Sequence, residues 1–443
     1  MFRKVLIANR GAVAVRVLRA LKGLGIPSVV AFSEADAELP YLGQAEERIC
    51  IGPGPARESY LHMDRLVQAL RESGADGLHP GYGFLSENAV FAARVNETGA
   101  RFIGPSPALI EAMGHKTRAR EIAARHGMPV GPGSAVLASD ADPVAAARAI
   151  GFPVLVKPAA GGGGIGMIAA RSESELTSAV DRARGLAERG FGNGEIYLER
   201  LLEQPRHIEF QLVCDRHGAA SVLFERDCSV QRRHQKIIEE APAPGVSRDD
   251  IERTSERVLA AARALAYDNL GTVEMLRDTQ GSFVFLEMNT RLQVEHGVTE
   301  EVVGVDLVRA QILLAAGEPL ARVLPSRVAL EGHAIEARVY AEDPKRFLPS
   351  PGRLTRFRPP AGVRVETGYA EGCMVTPFYD PLIAKIIVHE GTRGEAMRHL
   401  ISALEAFQIE GVRNNIPALA AVLRSDSFAA GRVHTGLVGE IIR

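Results

Sequence analysis

Gly271-Thr-Val-Glu-Met-Leu-Arg-Asp-Thr-Gln-Gly-Ser-Phe-Val-Phe-Leu-Glu-Met-Asn289 contains two apolar strands, Gly271 to Arg277 and Ser282 to Asn289, around a turn made by Asp278 to Gly281. Each strand carries an acid inside its apolar run, where an unpartnered carboxylate is costly. Pairing Arg277 with Ser282 sets Glu274 opposite Phe285 and puts Glu287 two residues along on the same face, a diagonal neighbour about 7–8 Å away. Asn289 continues that face. The hairpin thus offers the oxygen-rich set that Mg²⁺ prefers, with nucleotide phosphates and water completing its shell.

Immediately downstream, Arg291, Gln293 and Glu295 recur at period two. An arginine fork binds a small planar oxyanion, and a glutamate beside it can take the proton, a geometry suited to bicarbonate. Upstream, Ile208, Phe210, Leu212 and Cys214 alternate, and Asp215 to Gly218 turns the chain into Ala220 to Phe224, a second hairpin. Gln231-Arg-Arg-His-Gln-Lys236 is a basic cluster between these features. Further back, the apolar strand Val154-Leu-Val-Lys157 leads into Gly161 to Gly166, glycine throughout except Ile165, whose backbone N–H groups can turn toward an anion. Lys157 ends that strand where a buried ammonium needs an anionic partner.

The two ends complete the organisation. Lys4 to Ala8, a helical pattern of Val13, Val17, Leu21 and Leu24, and Ser28 to Phe32 form a β-α-β unit, which recurs loosely to Gly104. An open parallel sheet is expected there, and without G-x-G-x-x-G it carries no nucleotide-binding signature. From about Gly332 the chain is strand-rich, with turns at Pro349-Ser-Pro351 and Pro359-Pro360, and it closes in helices after Arg393. The fold class is α/β and α+β, with two or three packed domains in 443 residues. A formal charge of −2 gives no cationic field for nucleic acid or an anionic membrane. Cys50, Cys214, Cys228 and Cys373 form no C-x-x-C pair, and no apolar run approaches the roughly 20 residues of a membrane span. A cytoplasmic protein with reduced thiols is expected.

Five stretches together resemble the biotin carboxylases: Ile7-Ala-Asn-Arg-Gly11, His79-Pro-Gly-Tyr-Gly-Phe-Leu-Ser-Glu-Asn88, Glu225-Arg-Asp-Cys-Ser-Val-Gln-Arg-Arg-His-Gln-Lys236, Glu287-Met-Asn-Thr-Arg-Leu-Gln-Val-Glu-His296 and Arg338-Val-Tyr-Ala-Glu-Asp-Pro344. The resemblance implies an N-terminal domain over 1–112, an ATP-grasp domain over 113–318 with a mobile lid at about 131–203, and a β-rich C-terminal biotin carboxylase domain over 330–440. It implies that Lys116, Lys157, Gly162, Gly163, Gly164, Gly166, Glu199, Leu202, His207, Gln231, His234 and Leu276 surround ATP, and that Glu274, Glu287 and Asn289 hold Mg²⁺ or Mn²⁺. Arg291, Gln293 and Val294 would hold bicarbonate while Glu295 deprotonates it, Lys236 would stabilise the transferring phosphate, Arg338 would meet biotin, and Tyr82 would be a further substrate-binding residue.

The implied activity is ligase chemistry: ATP- and bicarbonate-dependent carboxylation of biotin through carboxyphosphate. This would be the first half-reaction of a biotin-dependent carboxylase, with an acyl-CoA type such as acetyl-CoA carboxylase foremost. The alternatives are another ATP-grasp carboxylate-amine ligase, or a nucleotide-binding homologue with weakened turnover. No Met-Lys-Met biotinylation site occurs, so the carrier is expected on another chain or further along a longer protein, with carboxyltransferase subunits as partners. Departures from the family pattern are Ile165 and Ile168, where cations are common, and Gly297 in the His-Pro position after Glu295, expected to loosen the backbone there. Lys22-Gly23-Leu24 lacks the glutamate often found at the bacterial dimer contact, which leaves homodimerisation open.

Overall fold

The structure, a computed structural model, describes residues 1–138, 141–159 and 166–442. Val5–Ile7 and Ser28–Phe32 form the expected parallel pair, and helix Gly11–Leu24 between them buries Val13, Val17 and Leu21. Gly25 ends the helix in the left-handed region, where glycine pays no Cβ penalty. The parallel sheet runs Glu47–Cys50, Ser28–Phe32, Val5–Ile7, Gly77–His79, Arg101–Phe102. Its strand order reverses between Val5–Ile7 and Gly77–His79, where doubly wound sheets usually leave a ligand crevice. Here Asn9 closes it, its Nδ2 donating to the carbonyls of Pro80 at 2.7 Å and Tyr82 at 2.8 Å. That contact fixes the loop carrying Tyr82 and Glu87.

The second hairpin forms as read, with Arg206–Cys214 antiparallel to Ala220–Arg232, and Asp215 closes the turn by accepting from the N–H groups of His217 and Ala219. These strands lie inside an eight-stranded sheet ordered Phe283–Asn289, Asn269–Arg277, Arg206–Cys214, Ala220–Arg232, Gln235–Ala241, His333–Tyr340, Leu382–Glu390, Arg364–Glu366. The strand-rich C-terminal part therefore continues the central sheet. One apolar core also joins the three parts, packing Val17 and Leu21 with Leu292 and Leu307 and with Ile335 and Ile383.

The sheet corrects the register expected for the first hairpin. Arg277 pairs with Phe283 and Met275 with Phe285, and a bulge that absorbs Leu286 brings Glu274 directly opposite Glu287. The two carboxylates are therefore cross-strand partners instead of diagonal neighbours.

Strands Ile168–Ala170, Val154–Pro158 and Ile196–Arg200 form a separate small sheet with helices Pro143–Ile150 and Glu173–Phe191, around a core of their own that includes Val154, Val156, Leu176 and Leu198. Chain entry and exit lie side by side, with the Arg200 N–H donating to the Pro132 carbonyl at 2.9 Å. No described helix is long and apolar enough to cross a membrane, and all four cysteines are free.

N- and C-terminal parts meet by backbone contact. A Cβ at Gly368 would lie 2.6 Å from the Gly11 Cα, at the start of the first helix. Gly368→Ala should therefore force two backbones apart and cost on the order of 1–3 kcal/mol, read as a lower urea midpoint. An unchanged midpoint would show that this junction yields freely.

Candidate functional site

The eight-stranded sheet builds the site by register. Glu287 faces Glu274, Glu274 faces Glu209, and Glu209 faces Arg226, a single row of charged side chains across four strands. Further along, Arg338 faces Lys385 and Lys385 faces Glu366. Such burial is tolerable only with close pairing. Arg226, fully buried, satisfies its guanidinium on Glu209, on Gln211 Oε1 at 2.8 Å and on Thr299 Oγ1 at 3.0 Å.

Lys236 occupies the centre. Its Nζ meets Glu209, lies 2.9 Å from Glu274 Oε1 and lies 2.7 Å from Glu295 Oε1. Burial works against its charge, but Glu209, Glu274 and Glu295 outweigh burial and hold its pKa well above the lysine range. Burial likewise pushes the Glu295 carboxyl up, and Lys236, Arg338 and Arg226 more than reverse this, leaving it well below the carboxylate range. Arg338 reaches Glu295 Oε2 at 2.9 Å and Glu239 Oε1 at 2.6 Å. Burial pushes Glu239 up to about 8, Arg338 opposing it and Glu336 and Glu295 adding to it.

Glu274 gathers three hydrogen-bond donors and one ring nitrogen. Besides Lys236, it accepts from Asn289 Nδ2 at 2.7 Å and Gln293 Nε2 at 3.0 Å, and His207 Nε2 lies 2.9 Å away. Gln231 Nε2 meets His207 Nδ1 at 2.9 Å. Arg291 donates to Asn289 Oδ1 at 2.9 Å, Gln293 Oε1 at 3.0 Å and Glu87 Oε2 at 2.8 Å. The structure thus brings Lys236, Glu274, Asn289, Arg291, Gln293, Glu295 and Arg338 into one network, with His207 and Gln231 at its edge.

Glu287 stands at the open end, paired with Lys116 at 3.1 Å. In the small domain, Lys157 Nζ lies 2.7 Å from Glu199 Oε2, and Arg120 holds the other oxygen at 2.6 Å. A protein carboxylate is therefore the partner that buried Lys157 required. Burial and then the Lys157 charge lower the His234 pKa. Tyr82 is half-buried among charges that include Lys385 and Arg338. Leu202 and Leu276 are half-buried, and Val294 presents its carbonyl to Lys385. Gly166 is left-handed against Pro158. Gly162, Gly163, Gly164 and Ile165 lie outside the described residues.

Glu209, Arg226, Glu239 and Glu87 belong to the network but were not singled out in the sequence. The first had a visible signal, since His207, Glu209 and Gln211 form the polar face of the strand read for its apolar one.

Family models match the chain in three consecutive pieces: the N-terminal domain of biotin carboxylase over residues 1–110, the ATP binding domain of the carbamoyl-phosphate synthase L chain over 115–323, and the C-terminal domain of biotin carboxylase over 336–440. A biotin carboxylase of Halalkalibacterium halodurans is 49% identical across 99% of this chain and 97% of its own length. The chain belongs to the biotin carboxylase family. Its members are ligases, as the resemblance in the five motifs implied. The propionyl-CoA carboxylase alpha chain of Ruegeria pomeroyi is 44% identical across 99% of this chain and 68% of its own. Among solved structures, the biotin carboxylase domain dimer of Hydrogenobacter thermophilus 2-oxoglutarate carboxylase, in complex with MgADP, ADP and bicarbonate, superposes with a TM-score of 0.96 at 42% identity, covering 99% of this chain and 98% of that one.

Two departures from the family pattern have structural explanations. Ile168 pairs with Val156 inside the small domain and packs on its core, so it replaces a cation with apolar filling. Gly297 does not loosen its surroundings. It lies in the first turn of helix His296–Val303, where a Cβ would come within 2.4 Å of Ile387 Cδ1 and 3.2 Å of Glu336 Oε2, so glycine there permits tight packing.

The Lys236 network makes a signed pH prediction. With the ammonium present, Glu274 and Glu295 have lowered pKa values, so their contribution to stability exists above the ordinary carboxylate range and is lost as pH falls through their folded values. Lys236→Met leaves three buried carboxylates without that ammonium, which should cost about 3–5 kcal/mol at pH 8. The deficit should shrink toward pH 5, as the folded state takes up protons there more readily than the unfolded chain. Urea midpoints measured across that range check it. A deficit independent of pH would mean that the ammonium does not govern these carboxylates.

Proposed function

We propose that this chain carboxylates biotin held on a carrier, using MgATP and bicarbonate in the first half-reaction of a biotin-dependent carboxylase. The observation that carries the reading is that Lys236 and Arg338 converge on one carboxylate, Glu295. A phosphate-facing cation and a biotin-facing cation then share the base that joins their two steps. The same reading divides the chain at 1–112, 113–318 and 330–440, with 131–203 as a lid over ATP.

Glu274 and Glu287 fit Mg²⁺ as cross-strand carboxylates, the hard donors it prefers, and Asn289 would join them by turning toward them the amide oxygen that Arg291 holds. When bound, the ion neutralises phosphate charge. Arg291, Gln293 and Val294 hold bicarbonate, and Glu295 takes its proton so that an oxygen attacks the γ-phosphate. Lys236 stabilises charge on the transferring group. Carboxyphosphate breaks to CO₂ and phosphate, the phosphate removes the ureido proton of biotin, and Arg338 holds the resulting enolate until CO₂ adds. Lys116, Lys157, Glu199, Leu202, His207, Gln231, His234 and Leu276 surround the nucleotide, and Tyr82 borders the biotin end. Each cation in the resting site is held by a protein carboxylate, so substrate anions enter by exchange for those carboxylates.

For the acceptor, the proposal is an acyl-CoA, delivered through a carboxyltransferase partner as the name of the Ruegeria pomeroyi relative suggests. The partner that co-purifies with the chain tests it, and a 2-oxo acid carboxyltransferase would overturn it. The activity is tested by phosphate release from MgATP, expected only with bicarbonate and increased by biotin. No response to biotin from the folded protein would favour another carboxylate-amine ligase. Glu295→Gln should keep ATP binding and lose turnover by a factor on the order of 10²–10⁴. Glu287→Gln should weaken the response to Mg²⁺, and an unchanged response would remove Glu287 from the metal site.

A further inference from the structure

Lys385 is fully buried, and its ammonium has one neighbour for each of its three N–H bonds. Nζ lies 2.5 Å from the Val294 carbonyl, 2.8 Å from Glu366 Oε2 and 3.4 Å from Glu336 Oε2. The two carboxylates belong to neighbouring strands of the C-terminal part. The carbonyl belongs to the turn between Arg291 and Glu295, so Lys385 ties that turn to the sheet from behind. The turn is pinned twice more. His296 Nδ1 meets the Gln293 carbonyl at 2.7 Å, and Gly297 lies flat against Ile387, a neighbour of Lys385 in sequence.

We infer that Lys385 is a positioning residue for the bicarbonate turn: by holding the Val294 carbonyl it fixes the peptide on which Glu295 is mounted, and so aims that carboxylate at the oxyanion held by Arg291. The inference rests on the bicarbonate reading of Arg291, Gln293 and Glu295. A carbonyl drawn back onto a buried ammonium fixes the rotation of the Val294–Glu295 peptide, and Glu295 stands directly before the helix His296–Val303 that continues from it. A free turn would sample other orientations, and general-base catalysis needs the carboxylate within hydrogen-bond reach of its proton. The two acids keep Lys385 charged and immobile. They also leave it no route to substrate, so it acts only through the turn.

The test uses Lys385→Met combined with Glu336→Gln, which removes the ammonium without leaving Glu336 as an unpaired buried charge, while Glu366 keeps Arg364 as its partner. Lys385→Arg serves as the conservative variant, keeping the charge. For the double variant, the KM for bicarbonate should rise roughly tenfold or more, the size of one lost charge-assisted hydrogen bond, while the KM for ATP and the urea midpoint stay near those of the parent. Backbone hydrogen exchange over residues 294–297 should speed up, and Lys385→Arg should recover part of the bicarbonate affinity. An unchanged KM for bicarbonate overturns the inference, as do unchanged exchange rates in the turn. A rise in both KM values together with a lower urea midpoint also overturns it, because it marks a purely structural lysine. A parent chain without bicarbonate-dependent phosphate release would defeat the catalytic reading on its own, and the exchange measurement separates that failure from a failure of the positioning role.

Discussion

One ammonium surrounded by three carboxylates holds the centre of this molecule together. Lys236 has Glu209, Glu274 and Glu295 around it, each on a different strand or turn, and none of the four could be buried alone. Their mutual placement fixes the register of the central strands, because a slip of one residue would turn every member to the opposite face. The site and the sheet are therefore specified by the same contacts. Stability and readiness to bind anions are set against each other here, since every cation that would receive phosphate or bicarbonate is already neutralised from within.

That balance explains the burial pattern around Arg338. It shares Glu295 with Lys236, and its other neighbour, Glu239, is pushed toward neutrality by burial and by Glu336 across the strand pair. The site thus combines firmly ionised carboxylates with one that can hold a proton near neutral pH. It is asymmetric across the sheet, with strongly ionised Glu274 at one end and Glu239, pushed up to about 8, toward the C-terminal strands.

Much of this was legible in the sequence, and the losses have physical causes. Alternating apolar residues gave the hairpin turned at Asp215, apolar runs about a turn gave the one at Asp278, and acids inside apolar strands marked the site, because such acids are rarely buried without purpose. The bulge at Leu286 left no trace, since one extra apolar residue in an apolar run changes neither period nor composition. Glu87 meets Arg291 from a loop some two hundred positions away in the chain, and no local pattern encodes such a contact. The continuation of the central sheet into the C-terminal strands was hidden for the same reason, since strand order follows from non-local pairing. Gly297 shows the reverse error, a residue read for its freedom whose lack of a side chain serves close contact.

The small domain built on Val154–Pro158 enters and leaves the main body at adjoining points and keeps a core of its own. Topologically it is a parenthesis in the chain: everything between its two crossings could be excised and the ends rejoined without breaking a ladder of the eight-stranded sheet. Segments of that kind behave as cassettes, free to vary in length and chemistry from one lineage to another, because neither their folding nor that of their host depends on the other's interior. The Lys236 core, bound through its strands to both halves of the chain, has no such freedom.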